Sequence, residues 1–248
     1  MKKIIYILFM PSMIFCDIYQ DLLAEGNKAM INEKYEEAIT VYESILELGN
    51  ENSDLYYNLG NAYYRLHYIG QAIWAYMNAL RLNPRDRDIY HNLSVAKAKR
   101  IDRIDMPESV FILKLYRFIK AYFTIGEWIL LSSILVLIQA IIGINFRLGF
   151  QKNTMLKIIL TALVTITIST HCIVFDKYFQ KIQQNSGVVI ANGVDAYSRP
   201  FYGENTVLFK INEGSIVDIS NIQKDWLEII LIDGKKGWVI LESIRALK

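Results

Sequence analysis

The residues that usually build catalytic or metal centres are scarce in this chain. Its 248 residues include only two cysteines and three histidines. Cys16 and Cys172 lie in separate apolar runs, so we expect no disulfide framework. His67, His91 and His171 lack the spacing of a zinc site, and the sequence has no glycine-rich phosphate loop or Ser/His/Asp arrangement. We therefore predict a non-enzymatic protein without catalytic, cofactor-binding or metal-binding residues.

Charge is missing from two long stretches near the middle of the chain. Residues 128–146 and 158–175 contain no Asp, Glu, Lys or Arg. At about 1.5 Å of rise per residue, each run approaches the roughly 30 Å thickness of a bilayer core. We predict a transmembrane hairpin with helices at 125–146 and 155–175. A buried hairpin of a soluble core is the disfavoured alternative, because soluble helices rarely stay charge-free on all faces.

The second of these runs carries several hydroxyl side chains. Thr161, Thr165 and Ser169 recur at every fourth position, which places them on one helical face. Such hydroxyls can bond to carbonyl groups of the preceding turn or to a neighbouring helix. We interpret this stripe as a helix-packing face.

The net charge of +2 is unevenly distributed. Residues 106–185 carry eight Lys and Arg against three Asp and Glu. A basic excess around a membrane hairpin suits anionic lipid head groups and argues against a nucleic-acid groove. The lipid bilayer is thus an expected partner, and nucleic acid is not.

The start of the chain has the layout of a secretory signal peptide, 1–16. Lys2 and Lys3 precede an apolar run that ends at Cys16. We expect cleavage near Cys16; lipidation of that cysteine or an uncleaved anchor are the alternatives.

An exported leader determines the predicted topology. Both soluble regions then lie outside the cytoplasm, and Arg147, Lys152 and Lys157 lie in the cytoplasmic turn, as the positive-inside rule prefers. Three further cations, at 114, 117 and 120, lie on the other side and count against this orientation.

Residues 17–104 repeat with the period of tetratricopeptide helix pairs. The matched pairs are Gly26 and Gly60, Ala38 and Ala72, and Tyr42 and Tyr76. The second copy contains Tyr56, Leu59, Gly60, Tyr63, Ala72, Tyr76, Ala79 and Pro84. This set closely resembles the tetratricopeptide signature, in which small residues let two helices cross closely. A partial third copy from Arg87 predicts a capping helix, giving two repeats plus a cap.

The first helix of each pair lines the concave groove of such arrays. We predict that a partner protein binds there, at residues that the repeat places on this face. They are Asn27, Tyr57, Asn61, Tyr64, Arg65 and His91. Asn27 and Asn61 occupy equivalent positions, and the alternative is that both are ordinary polar residues of a helix surface.

Residues 110–123 alternate bulky apolar residues with Lys114, Arg117 and Lys120. The spacing of three places the cations on one helical face, which is typical of an amphipathic helix at a lipid interface. The alternative is a first membrane helix extended by three turns.

After residue 186 the apolar pattern becomes strand-like, and five short runs separated by turn residues predict a small all-β barrel at 186–248. The segments 213–217 and 233–239 with Trp226 resemble the bacterial SH3-like domain. Four aromatic residues, Tyr197, Phe201, Tyr202 and Trp226, are candidates for a peptide or glycan groove. Simple packing is the alternative.

The sequence therefore predicts a multidomain protein with all-α tetratricopeptide helical repeats, a two-helix transmembrane hairpin and a C-terminal all-β SH3-like small barrel. This order of parts resembles the BatE-type proteins of the Bacteroides aerotolerance (Bat) system. The resemblance implies a bacterial inner-membrane scaffold that works with other Bat-type membrane proteins, linked to oxygen tolerance or envelope stress. Bacterial SH3-like domains often contact cell wall, so peptidoglycan is an alternative partner.

Overall fold

The structure is a computed structural model that describes residues 19–102, 110–147, 154–183, 186–203 and 206–247. Within these ranges the chain forms eight α-helices followed by a seven-stranded antiparallel sheet. The predicted leader 1–16 lies outside the described residues.

The first five helices reproduce the period of the sequence repeat. They are α1 (described residues 19–31), α2 (Tyr35–Glu47), α3 (Ser53–Arg65), α4 (Ile69–Leu82) and α5 (Arg87–Ala98). Helices α2 and α4 begin one full repeat apart, and so do α3 and α5. The all-α repeat architecture is therefore confirmed.

Equivalent side chains start α3 and α5. The Asn52 side chain accepts a hydrogen bond from the backbone amide of Leu55 at 2.6 Å. The Asp86 carboxylate, at the equivalent position of the next repeat, accepts from the amides of Asp88 and Ile89 at 3.0 and 3.2 Å. Each cap satisfies amide groups that have no partner in the first helical turn.

The repeat glycines are small because tyrosine rings lie where a side chain would be. A Cβ atom on Gly26 would lie 2.5 Å from the Tyr42 ring, and one on Gly60 would lie 2.6 Å from the Tyr76 ring. Both tyrosines are fully buried. The close helix crossing expected from the sequence thus depends on a glycine–tyrosine contact in each repeat.

The C-terminal strands form one sheet in the order β3-β2-β6-β5-β4-β1-β7. The strands are β1 (Ser186–Val189), β2 (Val194–Tyr197), β3 (Val207–Ile211), β4 (Ile216–Gln223), β5 (Trp226–Leu231), β6 (Lys236–Ile240) and β7 (Ile244–Ala246). The all-β class is confirmed, but the sheet does not close into the predicted barrel. Strands β3 and β7 end the order of pairing in the described chain, and β2 and β7 add to the five strands predicted.

The repeats and the sheet share one compact unit, which contains the described residues 19–102, 186–203 and 206–247. Val188 of β1 belongs to the apolar core of the repeats. A Cβ atom on Gly70, in α4, would lie 2.4 Å from the Val189 carbonyl oxygen, so the two backbones are in direct contact. The Glu213 carboxylate also accepts a hydrogen bond from the Gly70 amide at 3.0 Å.

Arg245 of β7 makes a charged contact between repeats and sheet. Its guanidinium lies 3.4 Å from the centre of the Trp74 ring and donates to both Glu43 carboxylate oxygens, at 2.6 and 2.8 Å. Tyr63 donates to the same carboxylate at 2.6 Å. The Trp74 indole N–H donates to the Ala246 carbonyl at 2.7 Å. We call Glu43, Tyr63, Trp74 and Arg245 the arginine clamp.

The described residues of the second unit, 110–147 and 154–183, form three helices. They are α6 (Phe111–Tyr122), α7 (Ile125–Arg147) and α8 (Thr154–Gln183). Stretches Ile125–Arg147 and Thr154–Phe179 are long and apolar enough to cross a membrane. Most of the apolar side chains of α6 are exposed, and Lys120 and Tyr116 bond the Asp176 carboxylate of α8.

Polar side chains join α7 to α8 along their shared face. Gln139 donates to the Thr167 hydroxyl, and the Ser132 hydroxyl lies 3.2 Å from the His171 ring nitrogens. The hydroxyls of Thr161, Thr165 and Ser169 instead donate to carbonyl groups of the preceding turn of α8, at 2.9 to 3.0 Å.

We expect the arginine clamp to contribute to the stability of the folded protein. Arg245→Met leaves the half-buried Glu43 carboxylate without its cation, and we expect a loss of about 1.5–3 kcal/mol in the free energy of unfolding. Lys236→Met is the matched control, since Lys236 is 52% exposed beside Glu228 and should cost below about 1 kcal/mol. Denaturant titration of both variants in detergent measures the difference. Equal losses would contradict a special role for the clamp.

Candidate functional site

A groove opens on the face formed by the first helix of each pair. Its cavity has a volume of about 370 Å3. It is lined by Met30 of α1, by Tyr57, Asn61, Tyr64 and Arg65 of α3, by Tyr76 of α4, and by Asn92 and Val95 of α5. Amide, hydroxyl, aromatic and cationic groups therefore meet at one surface.

Hydrogen bonds between asparagines and tyrosines form the floor of this groove. The Asn61 carbonyl oxygen accepts from the Tyr76 hydroxyl at 2.8 Å and from the Asn92 amide at 2.9 Å. Tyr57 accepts a further bond from Asn92 at 3.2 Å.

One repeat earlier the same pattern recurs. The Asn27 carbonyl oxygen accepts from the Tyr42 hydroxyl at 2.8 Å and from the Asn58 amide at 3.1 Å. Every member of this set lies one full repeat before its counterpart. We call the two sets the asparagine–tyrosine ladder; it ties α1 to α3 and α3 to α5.

The ladder qualifies the predicted role of the two asparagines. Asn27 and Asn61 use their carbonyl oxygens within the array, so these atoms hold the scaffold together. No described residue accepts a hydrogen bond from the Asn61 amide group, whose N–H donors lie at the groove lining. Asn61 therefore combines a structural acceptor with an amide donor that no described residue uses.

Tyr64 and Arg65 form the rim of the groove. The Arg65 side chain is exposed, and the Lys99 ammonium lies 4.4 Å from the centre of the Tyr64 ring. A cation over an aromatic face is attracted by the ring's negative electrostatic potential. The rim is thus positively charged, which favours partner segments that carry an acceptor or a negative group.

The structure brings four of the six predicted groove residues to the cavity and leaves two outside its lining. Tyr57, Asn61, Tyr64 and Arg65 line the cavity, whereas Asn27 lies in the earlier set of the ladder and His91 is exposed outside the lining. Asn92, next to His91, lies at the position in the groove lining that was expected for His91. The sequence repeat could have identified Asn92, because Asn92 is the counterpart of Asn58 in the following repeat.

A second cluster lies on the sheet. The rings of Tyr197, Tyr202 and Trp226 meet edge-to-face with centroids 5.0 to 5.8 Å apart. Tyr202 is 68% exposed. Phe201 is exposed too, but among the described residues no ring contact joins it to the other three. Three of the four predicted aromatic residues therefore form a surface cluster.

The described ranges contain no group of three His, Cys, Asp or Glu residues placed to hold a metal ion.

Comparison with known families supports the nature of the array. A family profile described as a TPR (tetratricopeptide) repeat matches residues 26–66. This match, together with the regular spacing of the helices, confirms tetratricopeptide repeats at the N-terminus. A search of curated proteins found no match to the chain. The tetratricopeptide repeat is a protein-interaction module and typically has no enzymatic activity.

The buried tyrosines predict a loss of stability at alkaline pH. Burial raises the pKa of Tyr42 from 10.0 to about 12, and it also raises the pKa of Tyr76. Between pH 10 and pH 12 the unfolded chain therefore releases protons that the folded chain retains. The contribution of the buried tyrosines to the free energy of unfolding is fully present below pH 10. It is lost as the pH rises from 10 to 12.

The measurement is the denaturation midpoint of the protein in detergent across that pH range. Tyr42→Phe should reduce the alkaline loss of stability, because it removes one hydroxyl whose proton the folded chain retains and the unfolded chain releases. Tyr90→Phe is the control, since Tyr90 is 67% exposed on α5. The same pH dependence in both variants would contradict the prediction.

Proposed function

We propose that this protein is a non-enzymatic, membrane-anchored scaffold that holds a segment of a partner protein in its tetratricopeptide groove. The observation that carries the proposal is the open groove above the asparagine–tyrosine ladder. Its floor is fixed by internal bonds, so a ligand meets a preformed surface and little side-chain entropy is lost on binding. Helices α7 and α8 supply the anchor.

The groove offers groups suited to an extended peptide. The Asn61 amide and the Tyr57 hydroxyl lie where they can bond a peptide backbone, and Met30 and Val95 give apolar contact. Arg65 adds a cation at the rim. Such a combination of apolar contact and a few directed polar groups is the usual chemistry of a binding groove.

The anchor places the protein in a membrane as a two-pass protein. Both halves of the first unit must lie on one side of the bilayer, because they share an apolar core. Two crossings by α7 and α8 meet this requirement. With an exported leader and the basic turn in the cytoplasm, that side is the periplasm of a bacterial inner membrane.

The resemblance to BatE-type proteins suggests the partners. On this proposal the groove receives a segment of another Bat-type membrane protein, such as one with a von Willebrand factor A domain, in a complex linked to aerotolerance or envelope stress. Helix α6 lies against lipid head groups, with Lys114 and Arg117 exposed for contact with phosphate groups.

The groove proposal is tested by charge reversal at the rim. Arg65→Glu should reduce co-purification of the von Willebrand-type Bat protein about tenfold, because a repulsive charge replaces an attractive one. Arg87→Glu is the matched control, since this exposed arginine on α5 lies outside the groove lining. The assay uses the full chain in mild detergent, with circular dichroism to check folding.

Equal recovery with Arg65→Glu and Arg87→Glu would contradict binding in the groove. Loss of recovery in both would indicate a general effect of charge and would also count against the groove.

The aromatic cluster favours a second candidate function, contact with peptidoglycan. Tyr197, Tyr202 and Trp226 present ring faces and edges at the surface, and such rings bind sugar rings or stem peptides. The SH3-like resemblance of 186–248 points the same way.

Sedimentation of the detergent-solubilised full chain with purified cell wall tests this candidate. Tyr202→Ala should lower the bound fraction several-fold if the cluster is the site. Phe201→Ala is the matched control, because Phe201 is exposed but stands outside the cluster. Failure of the unaltered protein to co-sediment would remove peptidoglycan from the proposal.

A further inference from the structure

An open cavity runs along one side of the α7–α8 pair. It has a volume of about 560 Å3 and is mostly apolar. Its walls include Gln139 of α7 and Val164, Thr167, Ile168, His171 and Phe175 of α8. Gln139, Thr167 and His171 also join the two helices to each other, so the cavity continues an interface that already exists. We call it the hairpin groove.

Gln139 gives this groove an unsatisfied polar atom deep in the hairpin. Its amide nitrogen donates to the Thr167 hydroxyl and, at 3.3 Å, to the Leu163 carbonyl oxygen. Its carbonyl oxygen accepts no hydrogen bond from any residue that the structure describes.

At the depth of Gln139 in a membrane, a carbonyl oxygen without a hydrogen-bond donor is energetically unfavourable. Gln139 lies only about 5 Å of helix rise from the midpoint of Ile125–Arg147, so in a membrane it is close to the bilayer centre. No water is present there to supply a donor, and lipid chains have none. The occupant of the groove must therefore be a segment with a hydrogen-bond donor at the same depth.

A second copy of this chain meets that requirement. Oligomers commonly pair about a two-fold axis, and an axis along the membrane normal brings each residue opposite its equivalent at one depth. The Leu163 carbonyl oxygen also accepts a hydrogen bond from the Thr167 hydroxyl at 2.8 Å. The Gln139 N–H that reaches this oxygen at 3.3 Å can therefore exchange that bond for one to the carbonyl oxygen of the other Gln139. Two such bonds form a reciprocal amide pair.

We propose that the protein is a homodimer whose hairpin grooves face each other, joined at the bilayer centre by the two Gln139 side chains. This inference rests on the proposed membrane crossing by α7 and α8, and it is independent of what the tetratricopeptide groove binds. Dimerisation would present two partner-binding grooves on one side of the membrane, which raises avidity for a multivalent partner.

The test is co-purification of two full-length copies that carry different epitope tags after Lys248, expressed together and extracted in mild detergent. Ile168→Trp in both copies fills the hairpin groove and should reduce recovery of the second copy about tenfold. Ile166→Trp is the matched control, because Ile166 is also exposed on α8 but lies outside the groove lining.

A second pair of variants tests the amide contact. Gln139→Leu removes the reciprocal bonds and should again reduce recovery, whereas Asn145→Leu, a change of the same kind on α7, should not. Within the ranges that the structure describes, the Asn145 side chain bonds only to the Ile141 carbonyl of its own helix.

The outcomes separate this proposal from the membrane anchor. Both tags released by alkaline carbonate would overturn the membrane crossing and the dimer together. Tags that stay in the membrane without co-purifying would overturn the dimer alone. Co-purification unaffected by Ile168→Trp and Gln139→Leu would show another interface and would overturn the groove assignment.

Discussion

The contact between Arg245 and the Glu43–Trp74 pair is the constraint on which the rest of the structure depends. It joins the last strand of the sheet to α2 and α4, across 202 residues of sequence. A cation that stacks on an indole ring and bonds both oxygens of a carboxylate is held in position and in angle. Together with the backbone contact at Gly70, it makes one unit of two regions that the hairpin separates in sequence.

This contact also explains why the partner groove is open. The sheet packs on the second helices of the repeats, through Glu43 of α2 and Gly70 and Trp74 of α4. Helix α3 reaches the sheet only through Tyr63 of the clamp among the described contacts, and its Tyr57, Asn61 and Arg65 line the groove. The asparagine–tyrosine ladder fixes the spacing of α1, α3 and α5. The array is therefore supported on one face by the sheet while its opposite face remains free for a ligand.

Periodic features of the molecule were predictable from the sequence, and contacts without a period were not. The repeat predicted the helix pairs and the small size of Gly26 and Gly60, because each copy packs in the same way. It also contained Asn92, although His91 was the residue predicted for the groove. No sequence pattern indicated the contacts of Arg245, since its partners are far away in sequence. Strand β7 was missed because it has only three residues, and its bonds to Trp74 and Glu43 are likewise without a sequence pattern.

The central claim is that repeats and sheet form one unit on one side of the membrane. Single cysteines at the exposed positions Lys28→Cys and Lys224→Cys, in a background without Cys16 and Cys172, test it most directly. The probe is a maleimide that does not cross membranes, applied to spheroplasts. The account predicts that both cysteines are labelled to the same extent. Labelling of one and protection of the other would contradict it.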